Sequence, residues 1–385
     1  MNFMGYPRKD GSIGARNYVG VISTAACASD TATSIAKQIP GCMTFTHHQA
    51  CGLVKPDRDM VHRTLINLGK HPNLAAVLVV GPECADSDVD LIADGISESK
   101  KRVEVVKIHA LGGIMGTVAK GTQLAREMLE QASAMQREEC DVSHLRLGVE
   151  CGGSTPLSGS VTNAAMGAAL DIIIGKGGGG GFSETTEVIG AEHIIARRAQ
   201  SKEVERRMID VVERFERRLI ASGLDFLGSN PDKQNVADGL SSIEEKALGA
   251  IAKGGTTPLM EVCDYGEIPK SKGLFFIDTP GNDYQSLTGL ATAGCQVITY
   301  STEGACPPAF PFVPTIKITA NARHCQMFQD IIDFLVDIDA AFSDIKAVGQ
   351  ALYERILEVA SGRMTKSETT RYGQFNDIFL LVPTS

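Results

Sequence analysis

Short runs of apolar, often β-branched residues alternate along the chain with longer amphipathic segments. A short apolar run bounded by turn residues predicts a buried strand, whereas an apolar repeat of about 3.6 residues predicts a helix. The predicted strands are 18–23, 75–80, 103–108, 145–150, 171–174, 273–278, 296–300 and 315–319, with a shorter run at 43–45. The predicted helices are 57–69, 88–99, 117–135, 202–222, 242–253, 325–337 and 345–361.

This alternation predicts the α/β class, with parallel or mixed sheets, helices on both faces and two or three subdomains. Continuously apolar strands such as 76–80 are expected where both faces of a sheet are covered. We expect a doubly wound α/β domain over 1–150, a Gly-rich segment with long helices over 151–255 and a second α/β domain over 256–385.

Composition narrows the classes of partner. The net charge is −9, Trp is absent and no basic arm is present, which argues against nucleic acid. No apolar run approaches the ~20 residues that span a bilayer, and the first residues lack the features of a secretory signal. We therefore expect a cytoplasmic protein without membrane contact. In a reducing compartment its ten cysteines are expected to act as ligands or catalytic groups rather than as disulfides.

The loops after four successive predicted strands each carry a cysteine. In chain order these are Cys27, Cys51, Cys84 and Cys151. Ligands collect at the carboxyl ends of the strands in doubly wound sheets, so we expect Cys51, Cys84 and Cys151 to converge on one site. For Cys27 and the remaining cysteines, simple burial beside a strand is the expectation.

Two kinds of metal site are consistent with these cysteines. Three thiolates from separate loops can hold an iron–sulfur cluster that leaves one iron open to substrate. Two thiolates with His47 or His48 can instead hold a single Fe²⁺ or Zn²⁺. Adjacent histidines on an extended segment point in opposite directions, so at most one of them is expected to bind metal. The spacing is not a CxxC pattern, and both kinds of site stay open.

A second polar group follows the Gly-rich stretch 177–181. The stretch predicts a flexible loop that can wrap an anion, but it matches neither nucleotide-binding glycine motif. Glu184, Glu187 and His193 can supply a carboxylate ligand and a general base, and the same pattern is also typical of a capped helix start.

Three lysines are the cations that we expect near an acidic substrate. They are Lys246, Lys253 and Lys317. A solvated surface charge is the alternative for each of them. Ser154 has no GxSxG context, which argues against a serine hydrolase.

These residues belong to longer strings that resemble a known family. The string at 5–18, Gly-Tyr-Pro-Arg-Lys-Asp-Gly-Ser-Ile-Gly-Ala-Arg-Asn-Tyr, resembles the start of the large domain of altronate and galactarate dehydratases. That family also includes the large subunit of sulfolactate sulfo-lyase. Further matching strings are 71–73, 75–81, 150–154, 183–184, 190–193, 230–231, 245–246, 253–255, 278–280, 360–362 and 366–368, with Asn235. The similarity covers essentially the whole chain.

The resemblance implies a lyase large subunit that catalyses metal-assisted β-elimination from a small acidic 2-hydroxy acid. A base removes the α-proton, the β-substituent leaves, and the enol becomes a 2-keto acid; Fe²⁺ would stabilise the developing enediolate. The favoured reaction converts (2R)-3-sulfolactate into pyruvate and sulfite. The alternative is a hydro-lyase acting on a sugar acid such as altronate or galactarate. A non-catalytic metabolite-binding homologue is the alternative from another class, and the retained cysteines argue against it.

The resemblance also implies a partner subunit, and the chain differs from the family at two places. A separate small subunit of about 90 residues and an oligomer are expected. Gly81-Pro82-Glu83-Cys84-Ala85 stands where the family has Gly-Leu-Gly-Cys-Glu, so the cysteine is kept and the glutamate is lost. The string Ser-Thr-Glu-Gly-Ala-Cys-Pro-Pro at 301–308 replaces the Thr-Gly-Arg-Gly string of the sugar-acid enzymes. Both differences lie where substrate is expected to bind, and they count against a sugar acid.

Pattern and resemblance together assign hypothetical roles. The predicted catalytic residues are Glu184, Glu187, His193 and Lys246. The predicted substrate-binding residues are Lys253, Ser154 and Asp278. The predicted ligands of mononuclear Fe²⁺ or of an iron–sulfur cluster are Cys51, Cys84, Cys151 and His48.

Overall fold

The computed structural model describes residues 2–49, 52–84, 88–223 and 230–381, and it confirms the α/β class. Its strands are β1 Asn2–Pro7, β2 Ile13–Gly14, β3 Tyr18–Ser23, β4 Cys42–Phe45, β5 Leu74–Gly81, β6 Arg102–Lys107, β7 Glu138–Asp141, β8 Arg146–Cys151, β9 Gly179–Phe182, β10 Leu259–Cys263, β11 Gly273–Ile277, β12 Val297–Ser301, β13 Thr315–Thr319 and β14 Phe334–Leu335.

The helices connect these strands and cover the sheets. They are α1 Ser29–Ala36, α2 Lys55–Lys70, α3 Val89–Ser97, α4 Ile114–Ser133, α5 Asn163–Gly175, α6 Glu192–Ala196, α7 Lys202–Ala221, α8 Lys233–Ala237, α9 Ile243–Ile251, α10 Asp283–Thr292, α11 Ala322–Met327, α12 Ile338–Ser343, α13 Ile345–Ala360 and α14 Lys366–Thr370. Within the described ranges, none of the helices combines the length and the apolar character that crossing a bilayer requires.

The first part of the chain forms a four-stranded parallel sheet in the order β4–β3–β5–β6. Successive side chains of a strand point to opposite faces, so the apolar run of β5 supplies both sides. Leu78 and Val80 pack with residues of α1 and α4, while Val77 and Val79 pack with residues of α2 and α3. Helices on both faces therefore account for the unbroken apolar sequence of β5.

The second sheet has seven strands in the order β10–β11–β9–β8–β12–β13–β14, and every pairing in it is parallel. Strands from 146–151 to 334–335 contribute to it, so the segments 151–255 and 256–385 both supply strands to one sheet. Helices α5 and α13 pack against one face, and α10 against the other. Because the strands are parallel, their carboxyl ends all lie at one edge, where ligands collect in such sheets.

A shared apolar layer joins the two sheets. Val77 of β5 and Phe275 of β11 belong to one cluster of buried residues, with side chains of α2 and α10 between them. A buried ion pair fixes the chain ends to this body, since the Arg16 guanidinium contacts the Glu368 carboxylate at 2.6 Å. The small sheet β2–β1–β7 is antiparallel.

Most predicted strands are confirmed to within one residue at either end, including 18–23, 75–80, 145–150, 273–278 and 315–319. The strand predicted at 171–174 is wrong, because these residues lie in α5, a helix that is apolar on most of its surface and packs between β8 and α13. A short isoleucine run on such a buried helix cannot be distinguished from a strand by periodicity.

Two further predictions are wrong. The Gly-rich stretch 177–181 is not a flexible loop, since Gly179–Phe182 forms the buried strand β9. A Cβ at Gly180 would lie 2.4 Å from the carbonyl oxygen of Leu147 on β8, so glycine permits the close approach of the two strands. The helix predicted at 325–337 ends at Met327, and the chain then forms β14 at the sheet edge.

Candidate active site

The carboxyl ends of β8, β9 and β11 surround a cavity of about 470 Å³. The polar side chains in its wall include Cys151, Ser154, Thr186, Glu184, Glu187, Asn230, Asp232, Asn235, Lys246, Asn282, Asp283 and Tyr284. The sequence prediction that ligand-binding groups follow the strands agrees with this position for Cys151 and Ser154.

Behind the cavity wall lies a buried group that we call the acid–lysine cluster: Glu150, Cys151, Glu187 and Lys253. The Lys253 ammonium lies 2.9 Å from Glu187 Oε2, 3.0 Å from Cys151 Sγ and 3.3 Å from Glu150 Oε1. Cys151 Sγ donates to Glu187 Oε2 at 3.3 Å. Lys253 and Glu150 are fully buried, so one ammonium offsets part of the charge of two carboxylates away from water.

Local packing explains how a lysine reaches this depth. Lys253 lies in the 3₁₀ turn Ala252–Gly254 that follows α9. Helix α5 passes against this turn at Gly167, where a Cβ would lie only 2.2 Å from the carbonyl oxygen of Ala252. The missing side chain at Gly167 therefore lets the turn reach the sheet, and the Lys253 side chain extends to the end of β8.

Hydrogen bonds fix the position of the Glu150 side chain. The Cys151 backbone N–H donates to Glu150 Oε1 at 3.0 Å, and the hydroxyl of Ser183 donates to Glu150 Oε2 at 2.8 Å. The hydroxyl of Ser286, on α10, donates to the same oxygen. Donors from β9 and α10 thus fix a carboxylate that belongs to β8.

The cluster sets the charge of its own members. Burial alone would lower the pKa of Lys253, but Cys151, Glu150 and Glu187 raise it well above its usual value, so the side chain is an ammonium. Burial would raise the pKa of Glu187, yet Lys253 and Lys246 outweigh it and lower this pKa to about 2. Burial raises the pKa of the Cys151 thiol well above its usual value. The cluster therefore holds an ionised Glu187 and a neutral thiol.

The pKa of Glu184 is shifted in the opposite direction from that of Glu187, although Glu184 lies only three residues before it. Burial, with the negative charges of Glu150 and Glu187, raises the pKa of Glu184 well above its usual value, so this carboxyl keeps its proton. Its backbone is left-handed, with φ at 71°, a conformation that costs about 1–3 kcal/mol for a non-glycine residue. The backbone N–H of Glu184 donates to the Thr279 hydroxyl at 2.8 Å, which holds the loop after β9 against the loop after β11.

The mouth of the cavity carries neutral polar groups around a second lysine. Lys246 Nζ donates to Asn230 Oδ1 at 3.0 Å and to Asn235 Oδ1 at 3.2 Å, and it lies 3.8 Å from Glu187 Oε1. The Ser154 hydroxyl donates to Glu187 Oε1 at 3.4 Å. An ammonium, a hydroxyl and side-chain amides near one another are suited to a carboxylate or sulfonate ligand.

The structure brings some predicted residues together and separates others. Glu184, Glu187, Lys246, Ser154 and Cys151 line the cavity, and Lys253 lies behind it.

Two predicted residues lie outside the cavity lining. His193 is exposed at the start of α6. Asp278 accepts a hydrogen bond from the Thr185 hydroxyl and pairs with the Arg214 guanidinium, both at 2.5 Å, which suits holding a loop rather than contacting a ligand.

The predicted metal ligands are dispersed among the described residues. Cys84 is exposed at the end of β5, and His48 Nδ1 lies 2.9 Å from the carboxylate of Asp377 with most of its side chain exposed. Neither residue belongs to the acid–lysine cluster. Cys51 lies outside the described residues, so its convergence with Cys84 and His48 stays a prediction.

The buried residues around Cys151 determine whether a metal ion fits at this cavity. In the described ranges, Glu150, Cys151 and Glu187 form the one group of three potential ligand atoms within 4.8 Å of one another. Their atom types suit Fe²⁺ or Zn²⁺. However, the Lys253 ammonium contacts all three side chains, in the place that a cation would take. A metal ion does not fit among these residues together with Lys253.

Several functional candidates were missed from the sequence. They are Glu150, Ser183, Asn230, Asn235, Asp283 and Ser286. Glu150 could have been identified from the sequence, because a charged residue at the end of an apolar strand is unexpected unless it is paired. Asp283 could not, since an aspartate at the first position of a helix is common for electrostatic reasons alone.

Two family models match the chain. The one described as D-galactarate/Altronate dehydratase, C-terminal, matches residues 142–382, and the one described as D-galactarate dehydratase/Altronate hydrolase, second domain, matches residues 5–133.

Curated relatives are similar over nearly the whole chain. Altronate dehydratase of Bacillus subtilis is 30% identical over 379 residues, which cover 95% of this chain and 75% of that protein. The (2R)-sulfolactate sulfo-lyase subunit beta of Chromohalobacter salexigens is 33% identical over 378 residues, which cover 97% and 96%. Galactarate dehydratase (L-threo-forming) of Escherichia coli is 30% identical over 402 residues, which cover 99% and 76%.

Proposed function

The chain belongs to the D-galactarate/altronate dehydratase family, whose named members here are lyases, and we propose that it catalyses β-elimination from a small acidic 2-hydroxy acid. The favoured substrate is (2R)-3-sulfolactate, which would give pyruvate and sulfite. The observation that carries the proposal is the presence, in the wall of one cavity, of a protonated carboxyl at Glu184 and an ammonium at Lys246.

Elimination from a 2-hydroxy acid makes three demands on the protein. The substrate carboxylate must be held, negative charge that develops on it must be stabilised, and the leaving group must be released. Lys246, with Ser154 and Asn235 beside it, is placed to bind the acidic groups. Glu184 is placed to give a proton to the leaving group. Lys253 offsets part of the negative charge of Glu150 and Glu187, which would otherwise repel an acidic substrate more strongly.

Two observations support sulfolactate. The relative named (2R)-sulfolactate sulfo-lyase subunit beta aligns over 96% of its own length. The strings at 81–85 and 301–308 depart from those of the sugar-acid enzymes. We further propose a separate partner subunit, as the word subunit in that relative's name indicates.

One observation favours the dehydratase alternative. Sulfite leaves as a stable anion, whereas a hydroxyl group must be protonated to leave as water. A buried carboxyl that keeps its proton, as Glu184 does, suits the second case better. A hydro-lyase acting on altronate or galactarate is therefore the second candidate.

An iron requirement stays part of the proposal, at Cys51, Cys84 and His48 rather than at the acid–lysine cluster. No step above is assigned to the metal, because Lys253 takes the place of a cation beside Cys151.

One experiment separates the candidates. The protein, isolated with any subunit that copurifies, is incubated anaerobically with sulfolactate, altronate and galactarate in turn. Sulfite and pyruvate formed in equal amounts from sulfolactate alone would support the favoured reaction. A 2-keto-3-deoxy acid from altronate or galactarate would support the alternative, and no product from any of the three acids would overturn the proposed function.

A further inference from the structure

Helix α10 directs a second carboxylate toward the cavity. Asn282 caps the helix by accepting hydrogen bonds from the backbone N–H groups of Tyr284 and Gln285, so Asp283 is its first residue. Residues three apart share a helix face, and Ser286 on that face donates to Glu150. Asp283 therefore points to the same place, and it lines the cavity with Glu184.

A glycine shows how closely Asp283 approaches a buried tyrosine. A Cβ added at Gly152 would lie 1.9 Å from the Tyr300 hydroxyl oxygen and 3.0 Å from Asp283 Oδ1. Both groups thus flank Gly152, one of the glycines in the cavity wall. Tyr300 is completely buried in β12, and the Lys317 ammonium lies 3.7 Å from the centre of its ring. Asp283 therefore has a polar hydroxyl beside it and a buried cation behind that hydroxyl.

The proposed elimination lacks a proton acceptor among the residues predicted from sequence. Glu184 already carries a proton. Glu187 is bound to Lys253 at 2.9 Å and is a weak base, since its pKa is lowered to about 2. His193 is exposed outside the cavity lining.

Asp283 has suitable basicity for this task. Burial, together with the charges of Glu150 and Glu187, raises its pKa to about 6, although Tyr300 and Lys317 act in the opposite direction. A carboxylate with a pKa near the working pH is both ionised and able to accept a proton.

Resting on the proposed function, we propose that Asp283 is the general base that removes the α-proton of the substrate, with Tyr300 as its positioning residue. The Asp283 carboxylate takes the proton from the α-carbon, and the C–H electron pair forms the enediolate. That pair then forms the double bond between the α- and β-carbons as the bond to the β-substituent breaks. The leaving group departs with the electrons of that bond, as sulfite from sulfolactate, or as water after Glu184 has protonated a hydroxyl. The enol becomes the 2-keto acid by taking a proton at the β-carbon and losing the proton of its hydroxyl group.

The first test compares two aspartates that each lie in the first turn of a helix. Asp283→Asn is expected to lower kcat by roughly 100- to 10,000-fold on whichever acid the wild type converts. Asp339→Asn, which changes an exposed first-turn aspartate of α12, is expected to stay within about twofold of the wild type. Wild-type protein that converts none of the acids would overturn the proposed function, whereas an active wild type with an equally active Asp283→Asn variant would overturn this proposal alone.

The second test distinguishes the role of Asp283 as base from that of Glu184 as acid. It remains usable if Asp283→Asn folds poorly. With altronate or galactarate in D₂O, Glu184→Gln is expected to exchange the substrate α-hydrogen for deuterium while forming little product, because deprotonation is retained and the hydroxyl group that must leave is no longer protonated. Glu184→Gln combined with Asp283→Glu, which keeps a displaced carboxylate, is expected to exchange at least tenfold more slowly. Equal exchange rates would overturn the assignment.

Tyr300→Phe tests the positioning role. Without the hydroxyl, the acidic limb of the kcat/KM pH profile is expected to move to higher pH, because the group that lowers the pKa of Asp283 is gone. Glu150, Glu187 and Lys317 also face Asp283 and stay in place in this variant. An unmoved limb with an unchanged kcat would show that Tyr300 does not position Asp283.

Discussion

The Lys253 ammonium lies 3.0 Å from the sulfur of Cys151, and both side chains are buried. The same ammonium contacts the carboxylates of Glu187 and Glu150. Each of these charges would be costly to bury alone. The cluster is therefore stable only as a unit, and removal of its one cation has a different effect from removal of a surface charge.

Replacing Lys253 by Met is expected to lower the apparent free energy of unfolding by about 3–5 kcal/mol, because two buried carboxylates lose their counter-charge. Urea denaturation followed by circular dichroism measures the change. Lys202→Met is the matched control, since the Lys202 side chain is 89% exposed, and it should change stability by less than about 0.5 kcal/mol. Equal stability of the two variants would contradict the ion pairing.

Glu184→Gln and Glu187→Gln form a second matched pair with opposite expected profiles. The Glu184 carboxyl is already neutral, so the amide should leave stability within about 1 kcal/mol while lowering kcat on altronate or galactarate by roughly 100-fold or more. Glu187 is ionised against Lys253 and Lys246, so its amide variant should lose about 3–5 kcal/mol of stability. Thermal melting and steady-state kinetics on the two proteins distinguish these effects, and identical melting temperatures would contradict the assignment.

Acid should weaken the fold through a buried histidine. Burial lowers the pKa of His71 to about 3, whereas the unfolded chain takes up that proton near pH 6.5. The stability from neutral His71 is thus complete above pH 6.5 and is lost as the pH falls toward 3, with about 2 kcal/mol gone at pH 5.

Comparing the wild type with His71→Gln separates the contribution of His71 to the pH dependence of stability from that of other titratable groups. His71→Gln lacks the titration, so the wild type's advantage over this variant should shrink by about 2 kcal/mol between pH 7 and pH 5. Urea midpoints at several pH values measure it. His193→Gln, changed at an exposed position, should keep a constant difference from the wild type. A constant difference for His71→Gln as well would show that His71 does not titrate in this way.

Gly152→Ala should disturb the cavity wall, because the new methyl group would lie 1.9 Å from the Tyr300 hydroxyl and the buried ring must move. We expect a loss of about 1–3 kcal/mol together with lower activity. Gly175→Ala is the control, since a Cβ there meets nothing within 4 Å, and at the end of α5 it should be neutral or stabilise by up to about 1 kcal/mol. A fully active and stable Gly152→Ala variant would contradict the described packing.

Iron analysis tests the predicted metal ligands. Wild-type protein prepared without oxygen is expected to contain iron. The iron content is expected to be lower in Cys51→Ser and in Cys84→Ser. Cys151→Ser should retain its iron, because Lys253 takes the place of a cation beside Cys151. Elemental analysis decides the matter, and unchanged iron in all three variants, or no iron in the wild type, would contradict the cysteine assignment.

The sequence predicted the sheet positions well, because buried parallel strands are continuously apolar. It therefore predicted β3, β5 and β8, and with them the edge at which Cys151 and Glu184 lie. It failed at β9, because four residues rich in glycine are typical of loops, and only the crowding by Leu147 and Phe275 explains their place in a sheet.

The contacts between side chains of the site were harder to predict from the sequence than the position of the site. Lys253 is far from Glu150 in sequence, and only the close passage of α5 over its turn shows that it is buried rather than solvated. Asp283 and Ser286 reach the cavity through the angle at which α10 packs on the sheet, which no local pattern encodes. The cysteine pattern suggested one convergent site, whereas the described chain places Cys84 and Cys151 on different sheets.

The central strand β8 also has a consequence for synthesis on the ribosome. Its carboxylate, Glu150, receives a hydrogen bond from Ser286, 136 residues later, and at roughly 5–20 residues per second that stretch takes about 7–27 s to make. The four-stranded sheet ends its last strand at Lys107, so its strands are all made well before this. A nascent chain that stops before Lys253 would hold the acids of the cluster without their cation, and such truncated products are expected to be prime targets for cellular proteases.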